Sequence, residues 1–356
     1  MKTQFFPGYT IGPDSYKEIV KICIPYGKKA VVIGGERAIK AAKNKIESAV
    51  EGSQLQVTGY FSFGGEASIE NIEMLKSIPE VQEANMIFAV GGGKAIDTGK
   101  VLAQTTGREF FTFPTIASTC ASCTSLGILY HPNGSLREYS FSNIPPAHIF
   151  IDSEIIANAP DKYLWAGIGD SMAKYFESSV SSRGDVLAHS QAMGVYIGNM
   201  CNGPFIKYGM KALEDCKNNT VTAELEEIIL GVIISTGFVS NLVNIDITTG
   251  LAHAVYNGFT VIPSIEEYGH LHGEIVSYGI LVLLIVDKQM EEFERIYKFN
   301  KNLELPTKLS DLHCSMEDVD TVIEKALKGI DVRHYPYEVK PAMIKDAIVF
   351  LESYTS

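Results

Sequence analysis

The chain has 356 residues, more than a single hydrophobic core usually serves, so its length predicts two domains. With 46% apolar and 20% charged residues, the composition is that of a folded protein and excludes a disordered chain. The net charge of −12 disfavours a nucleic-acid partner, because phosphate backbones require clustered lysine and arginine.

The sequence also bears on cellular location. No export signal is visible at the N-terminus, and the longest uninterrupted apolar stretch, Gly279–Val286, is too short to span a bilayer. Six cysteines in a chain of this length do not suggest a disulfide framework. We therefore expect a cytoplasmic protein that does not enter a membrane.

The first part of the chain alternates short apolar runs with amphipathic helical stretches. The strand-like runs are, in order, "KAVVIGG", "LQVTGYF", "MIFAVGG", "FFTFPT" and "AHIFID". Helical patterns follow the first three of these runs, and two further strand-like stretches flank the hairpin turn "HPNG", His131–Gly134. This alternation predicts an α/β domain over residues 1–158, with a doubly wound, mostly parallel, Rossmann-like sheet.

After Pro160 the pattern changes to apolar spacings of three and four residues, which are typical of helices. Long helical segments are predicted at Lys162–Ser181, Leu187–Met200 and Ala223–Asn244. The second part of the chain, residues 159–356, is therefore predicted to be an all-helical domain.

The motif "AVGGGKAID", Ala89–Asp97, joins a buried strand to a helix through three glycines. Glycines let the backbone approach a phosphate, and the free N–H groups at the helix start favour an anion. The spacing matches neither the G-x-G-x-x-G fingerprint nor a Walker A loop. The motif therefore predicts a nucleotide without identifying it, and a plain strand-to-helix turn is the alternative.

The next loop, "FPTIASTCASCTS", is rich in hydroxyl groups. Thr115, Ser118 and Thr119 could donate to phosphate or ribose oxygens, although a solvated loop would have the same composition. Cys120 and Cys123 are spaced like a zinc or redox pair. Without a second cysteine pair a structural zinc site is disfavoured, which leaves a dithiol centre or two ordinary buried residues.

A window from Gly250 to Glu274 contains His253, His270 and His272. Far upstream, Asp170 lies in the apolar helical stretch "GIGDSMAKYFES", where an unpaired carboxylate would be costly. Asp170 and two of the histidines would form an open metal site with three protein ligands. The spacing alone leaves the choice between His270 and His272 open.

Five motifs resemble, in order and spacing, the glycerol dehydrogenase branch of the iron-containing (group III) alcohol dehydrogenase superfamily: "GGGKAID", "FPTIAST", "AGIGDSMAKYFES", "AHAVYNGFT" and "HGEIVSYG". The resemblance extends over nearly the whole chain. It implies a dehydroquinate synthase-like fold, with a catalytic metal between a nucleotide-binding domain and a helical domain. It also implies that Asp170, His253 and His272 are the metal-binding and catalytic residues, so that His270 is not a ligand.

The resemblance further implies that NAD or NADP is the coenzyme. The positions that it assigns to coenzyme binding are Gly35, Gly92, Gly93, Lys94, Asp97, Thr115, Ser118, Thr124, Leu126 and Tyr130. NAD-preferring relatives carry an acidic residue at the position of Gly35, where it binds the adenosine ribose and repels a 2′-phosphate. Because glycine replaces it here, with Glu36 and Arg37 following, we expect NADPH to be accepted.

The metal predicted from the resemblance is Zn²⁺, with Fe²⁺ as an alternative. Iron-type members have a further histidine four residues after the aspartate, where this chain has Lys174. The metal is expected to act as a Lewis acid on the substrate oxygen while hydride passes to the nicotinamide. Glu274 and Asn257 are candidates, by nearness in sequence alone, to orient the ligand histidines. Tyr256 replaces a histidine frequent in relatives, which leaves a local proton relay in doubt.

Two substrate classes remain open. Glycerol dehydrogenases have a substrate-binding aspartate where this chain has Cys120, and a thiol is a weak hydrogen-bond partner. A secondary alcohol such as glycerol or a 1,2-diol is therefore one expectation, and a 2-hydroxy or 2-oxo acid, the substrate of hydroxycarboxylate dehydrogenases in the same family, is the other. A dehydroquinate-synthase-like lyase and a non-catalytic nucleotide-binding protein are remote alternatives. Relatives assemble from identical subunits, so the resemblance also implies a homo-oligomer.

Overall fold

A computed structural model describes residues 3–142 and 144–355, which pack into two compact units. The first unit comprises the chain up to Tyr163 together with Ala212–Asn241, and the second comprises Leu164–Lys211 together with the chain from Leu242 onward. The helical segment Ala212–Asn241 thus packs with the first unit, although its pattern placed it in the predicted helical domain 159–356. The assignment of separate functions to two domains stays a prediction.

A parallel sheet forms the centre of the first unit. Its strands and those of a hairpin are β1 Gly8–Ile11, β2 Lys29–Gly34, β3 Gln56–Ser62, β4 Met86–Gly91, β5 Glu109–Pro114, β6 Gly127–Tyr130, β7 Leu136–Ser140 and β8 His148–Ile151. Six strands pair in the order β1-β8-β5-β4-β2-β3, with every pairing parallel. Strands β6 and β7 form the predicted antiparallel hairpin around His131–Gly134. The α/β fold predicted for this part of the chain is confirmed.

The sheet is buried on both faces, which explains why its central strands are continuously apolar rather than alternating. Successive residues of a strand point to opposite faces. Val32 and Phe88 accordingly belong to one hydrophobic cluster, and their neighbours Val31 and Ile87 belong to another on the opposite face.

Helices account for most of the remaining chain. In chain order they are α1 Ile19–Cys23, α2 Glu36–Val50, α3 Ile69–Lys76, α4 Pro79–Glu83, α5 Gly93–Thr106, α6 Ser153–Ala157, α7 Lys162–Ser181, α8 His189–Ile197, α9 Gly203–Lys217, α10 Ala223–Leu230, α11 Thr236–Leu242, α12 Ile245–Thr248, α13 Leu251–Phe259, α14 Pro263–Glu267, α15 His272–Val286, α16 Met290–Asn302, α17 Val319–Ala326 and α18 Pro341–Ser353. Among the described residues the second unit contains no strand, as predicted. Helix α7 matches its predicted bounds residue for residue.

One helical stretch, Ala223–Leu242, is long and apolar enough to cross a membrane by length and composition. It joins α10 and α11 through a π-helical segment, Gly231–Ser235. Within its most apolar window, 61% of the residues are buried inside the folded chain. Packing of this stretch inside the folded chain therefore explains why it is apolar.

Candidate functional site

Helix α7 carries three buried ionisable side chains on one face. Asp170, Lys174 and Glu177 are spaced at i, i+4 and i+7, so their side chains line up along the helix. All three are buried, and Glu177 is 0% exposed. Buried charges require partners, and the partners here come from helix α12, from α13 with its N-cap residue, and from α15.

Glycines allow these helices to approach backbone to backbone. A methyl group on Gly169 of α7 would overlap the carbonyl oxygen of Gly273 in α15, and one on Gly273 would overlap that of Ala166 in α7. On α15, a side chain at Gly279 would meet the backbone of Ala252 in α13. The close packing places the first residue of α15, His272, beside Asp170, and it places His253 of α13 beside both.

Asp170, His253 and His272, called here the Asp/His cluster, converge on one point. The Oδ1 atom of Asp170 lies 3.1 Å from Nε2 of His272 and 3.4 Å from Nε2 of His253. One ligand atom from each of the three residues lies within 4.8 Å of the others. A carboxylate oxygen and two imidazole nitrogens suit divalent ions such as Zn²⁺ or Fe²⁺, so the residues fit the implied metal. His272 is the most exposed of the three, which leaves that side of the cluster accessible.

His270 is held outside the cluster. Its Nδ1 atom lies 2.8 Å from Oε1 of Glu274, and its Nε2 atom lies 2.9 Å from Nδ1 of His313. His270 therefore lies outside the group of atoms that could hold an ion, whereas His272 lies within it.

The charges within the cluster shift the pKa values of its members in opposite directions. Burial alone would raise the pKa of Asp170, but the charge of His272 and hydrogen bonds with both histidines hold it far below its ordinary value. Burial alone would lower the pKa of His253, yet the carboxylates of Glu177 and Asp170 raise it to about 9. Anionic oxygens thus dominate the electrostatics of the cluster, as a cation site requires.

Glu177 is the neighbour of the cluster that the sequence analysis missed. Its Oε2 atom lies 2.6 Å from Nδ1 of His253. The two predicted candidates have other partners: Glu274 bonds His270 and the backbone of Leu271, and Asn257 bonds Asp331. Nearness in sequence was therefore the wrong guide to the groups that orient the histidines.

Lys174 and Tyr256 also have defined places. The Nζ atom of Lys174 donates to the carbonyl oxygen of Thr248 at 3.0 Å, so its ammonium group is engaged with the backbone. The ring of Tyr256 meets that of His272 edge to face, with centroids 4.2 Å apart.

The glycine motif lies where β4 ends and α5 begins. Gly91 has a φ of 144°, a conformation that favours glycine. Helix α5 then starts at Gly93 with Gly92 as its N-cap, so free N–H groups point outward from the turn. A side chain at Gly92 would run into Ile116. The geometry is that of a backbone cradle for an anion such as a pyrophosphate.

Most predicted coenzyme positions border this turn. The backbone N–H of Thr115 donates to Gly91, and Gly35 lies beside Gly91 at the end of the neighbouring strand β2. Lys94 pairs with the carboxylate of Glu66, and its Nζ atom lies 5.5 Å from the ring centroid of Tyr130. Ser118 is partly buried in the loop that follows β5.

The other three predicted coenzyme positions instead surround Lys100, a residue that the sequence analysis did not identify. The Lys100 side chain is fully buried, and its Nζ atom lies 2.9 Å from Oδ1 of Asp97, 3.3 Å from Oγ1 of Thr124 and 2.6 Å from the carbonyl oxygen of Leu126. It also donates to the carbonyl oxygen of Ala121. Burial raises the pKa of Asp97, against the opposing charge of Lys100. Lys100 thus fastens residues 121–126, called here the 121–126 loop, to helix α5.

A second clamp holds the same loop from helix α11. The side chain of Asn241 accepts from the backbone N–H of Ser125 and donates to the carbonyl oxygen of Cys123. Just before the loop, the Sγ atom of Cys120 lies 3.8 Å from Oγ of Ser240. Within the described part of the chain, neither Cys120 nor Cys123 forms a disulfide. Cys120, the predicted substrate residue, therefore precedes a loop that is hydrogen-bonded to side chains of two helices, α5 and α11.

Comparisons with known proteins identify relatives of this chain. The family model for iron-containing alcohol dehydrogenase matches residues 7–153. Glycerol dehydrogenase of Thermotoga maritima is 34% identical over 82% of this chain and 80% of its own length, and hydroxycarboxylate dehydrogenase A of Escherichia coli is 31% identical over 92% and 90%. The crystal structure of glycerol dehydrogenase from Schizosaccharomyces pombe superposes with a TM-score of 0.86 at 27% identity, covering 99% of this chain and 91% of that one.

Proposed function

Since the chain belongs to the iron-containing alcohol dehydrogenase family and is an oxidoreductase acting on CH–OH groups, we propose that it is a metal-dependent, NAD(P)-linked polyol dehydrogenase. It would transfer hydride between a secondary alcohol, glycerol or a 1,2-diol, and the nicotinamide. Members of the family use NAD(P) and a metal ion. The convergence of Asp170, His253 and His272 is the observation that carries the proposal. A cytoplasmic location and a homo-oligomeric state stay predictions.

The Asp/His cluster would hold the ion, which supplies a Lewis acid for the substrate oxygen when bound. The chain's own contribution is to fix the ligand atoms and exclude water. Asp170 and His253 are buried within packed helices, which restricts their motion, while His272 faces the more open side.

We propose Zn²⁺ as the metal. Lys174 occupies the position where iron-type relatives have an additional histidine, and its ammonium group is bonded to Thr248. Three protein ligands with an open side are the usual arrangement of catalytic zinc.

For the coenzyme, we propose that NADP(H) is accepted as well as NAD(H). A Cβ atom at Gly35 would make an ordinary van der Waals contact with the ring of Phe63, at 3.5 Å, so the backbone here does not require glycine. Without a carboxylate at this position a 2′-phosphate is not repelled. Gly35→Asp should lower kcat/KM with NADPH more than with NADH; an enzyme that turns over with NADH alone would refute the proposal.

A second substrate class is favoured by one specific observation. Cys120 replaces the aspartate of glycerol dehydrogenases, which removes a charge that would repel a carboxylate, and its partner Ser240 is also uncharged. A relative at 31% identity carries the name hydroxycarboxylate dehydrogenase. A 2-hydroxy or 2-oxo acid is therefore the competing substrate proposal.

Initial rates with glycerol, 1,2-diols and 2-oxo acids, each with both coenzymes, separate the two classes. Saturable activity on the polyols supports the first proposal, and saturable activity on the acids alone overturns it in favour of the second. Cys120→Asp should increase kcat/KM for glycerol relative to the acids because it adds the missing hydrogen-bond acceptor. Cys120→Ser, of similar size and without charge, is the matched control.

A further inference from the structure

We propose that Glu177 is a positioning residue for His253: it fixes the proton on Nδ1 and so directs the Nε2 lone pair toward the point where the Asp/His cluster converges. The inference rests on the proposed metal-binding role of that cluster and adds to it a residue that is not a ligand.

The first support is the way in which the Glu177 carboxylate is satisfied. Its side chain is 0% exposed, and Oε1 accepts hydrogen bonds from the backbone N–H groups of Gly250, at 2.9 Å, and His253, at 2.8 Å. The two backbone donors occupy Oε1, so Oε2 is the oxygen that faces the ring of His253. A carboxylate oxygen accepts and does not donate, so the 2.6 Å contact between Oε2 and Nδ1 of His253 is the geometry of a hydrogen bond in which Nδ1 carries the hydrogen.

This hydrogen bond determines the role of the other ring nitrogen. With the proton held on Nδ1, Nε2 is the atom free to bind a cation, and it lies 3.4 Å from Oδ1 of Asp170. Carboxylate–histidine pairs of this kind fix the tautomer and ring orientation of metal ligands and increase their basicity.

The second support is that the same carboxylate holds the helix on which His253 lies. Helix α13 begins at Leu251, and its N-terminal N–H groups have no partners within the helix. Glu177 accepts from this end of α13, where a negative charge is also favoured by the helix dipole. One turn earlier on α7, Lys174 donates to the carbonyl oxygen of Thr248. Two side chains of α7, Lys174 and Glu177, thus hold the segment that leads into His253.

Gly250 makes this contact possible. A side chain at this position would lie 3.2 Å from Cγ of Glu177, so any larger residue would press against the buried carboxylate. The backbone and ring of His253 are therefore fixed by one side chain, located 76 residues away in sequence.

The test is Glu177→Gln, which keeps the size of the side chain but not its charge. If the amide oxygen keeps the two backbone donors, the amide NH₂ group faces Nδ1 and forces the proton onto Nε2, where it blocks metal binding. We expect Zn²⁺ affinity, measured by chelator competition, to fall roughly 10–100-fold. The absorption spectrum of the Co²⁺-substituted protein should change as well, since His253 is displaced as a ligand.

Asp185→Asn is the matched control. It makes the same chemical change at a carboxylate bonded to His334, in the same unit but outside the cluster. Circular dichroism and the fluorescence of the single tryptophan, Trp165, report whether each variant is folded. A folded Glu177→Gln protein with wild-type Zn²⁺ affinity and Co²⁺ spectrum would overturn the inference. Failure of the wild type to bind metal would instead refute the proposed function.

If Glu177→Gln does not fold, the wild type still provides a test. In the Zn²⁺-loaded protein with ¹⁵N-labelled histidine, the inference predicts a hydrogen-bonded Nδ1–H signal that disappears in His253→Asn. A His253 ring that carries its proton on Nε2, or lacks the Nδ1–H signal, contradicts it.

Discussion

The 121–126 loop and the Asp/His cluster both depend on a fully buried charged side chain, Lys100 for the loop and Glu177 for the cluster. Lys100 is satisfied entirely by the chain itself, through Asp97 and carbonyl oxygens. Glu177 is also fully hydrogen-bonded within the chain. The atoms of the cluster that it supports differ: Oδ1 of Asp170 and the Nε2 atoms of His253 and His272 contact one another, and the same three atoms could instead bind one cation. The first arrangement stabilises a loop, whereas the second prepares a binding site. Substitutions around Lys100 should therefore change mainly the free energy of unfolding, whereas substitutions around the Asp/His cluster should change mainly the affinity for Zn²⁺.

Lys100→Met should have the largest effect on stability. It leaves Asp97 buried without its counter-charge, which typically costs about 3–5 kcal/mol of the free energy of unfolding. Urea unfolding followed by circular dichroism measures this loss. Because the loop and the cluster are satisfied independently, Zn²⁺ affinity of the folded variant should be unchanged.

The double variant Lys100→Met/Asp97→Asn checks the cause. Removing both charges should restore part of the lost stability, since no uncompensated ion remains. A double variant less stable than Lys100→Met alone would show that the ion pair is not what matters at this position.

Gly273→Ala should have a smaller effect on stability and a distinct effect on metal binding. The added methyl overlaps the carbonyl oxygen of Ala166, so α7 and α15 must separate, at a typical cost of about 1–3 kcal/mol. Separation moves His272 away from Asp170 and should weaken Zn²⁺ binding. Gly203→Ala, whose methyl would meet no atom within 4 Å, is the control. Wild-type Zn²⁺ affinity in Gly273→Ala would mean that the close packing does not set the cluster geometry.

At neutral pH His148 should give the smallest effect, and it extends the comparison to a partly buried group without a strong counter-charge. Burial lowers the pKa of His148 to about 4, from 6.5, with Glu18 opposing only weakly. Between these values the unfolded chain binds a proton that the folded chain does not, so the free energy of unfolding falls as the pH is lowered through this range. His148→Gln should show a shallower decline over this interval in urea unfolding. Equal slopes would show that His148 does not titrate as the structure indicates.

The elements with strong periodicity could be predicted from sequence. The bounds of α7 follow directly from apolar spacing, and β4 and β5 follow from continuous apolar runs bounded by glycine or proline. The placement of segment 212–241 could not be predicted, because a helical pattern shows that one face is buried but not which unit buries it.

The candidate site was predictable as a set of residue types but not as a set of contacts. Asp170, His253 and His272 emerged because motifs identify them, and the structure brings them together. Glu177 did not emerge, since a glutamate in a helix has no pattern that identifies a partner 76 residues away. Lys100 was missed because a lysine in a helix has no pattern that identifies its partners in a later loop. Asp97, which the resemblance assigns to coenzyme binding, is also bonded to Lys100, and its role with the coenzyme stays a prediction.

The proposed function requires that Asp170, His253 and His272 together hold one divalent ion on which turnover depends. It is tested most directly by removing metal with a chelator and titrating Zn²⁺ back into the wild type and Asp170→Ala while recording bound metal and dehydrogenase rate. We expect the wild type to bind one ion per chain and to regain its rate in proportion, whereas Asp170→Ala should do neither. Metal uptake and turnover in Asp170→Ala equal to those of the wild type would contradict it.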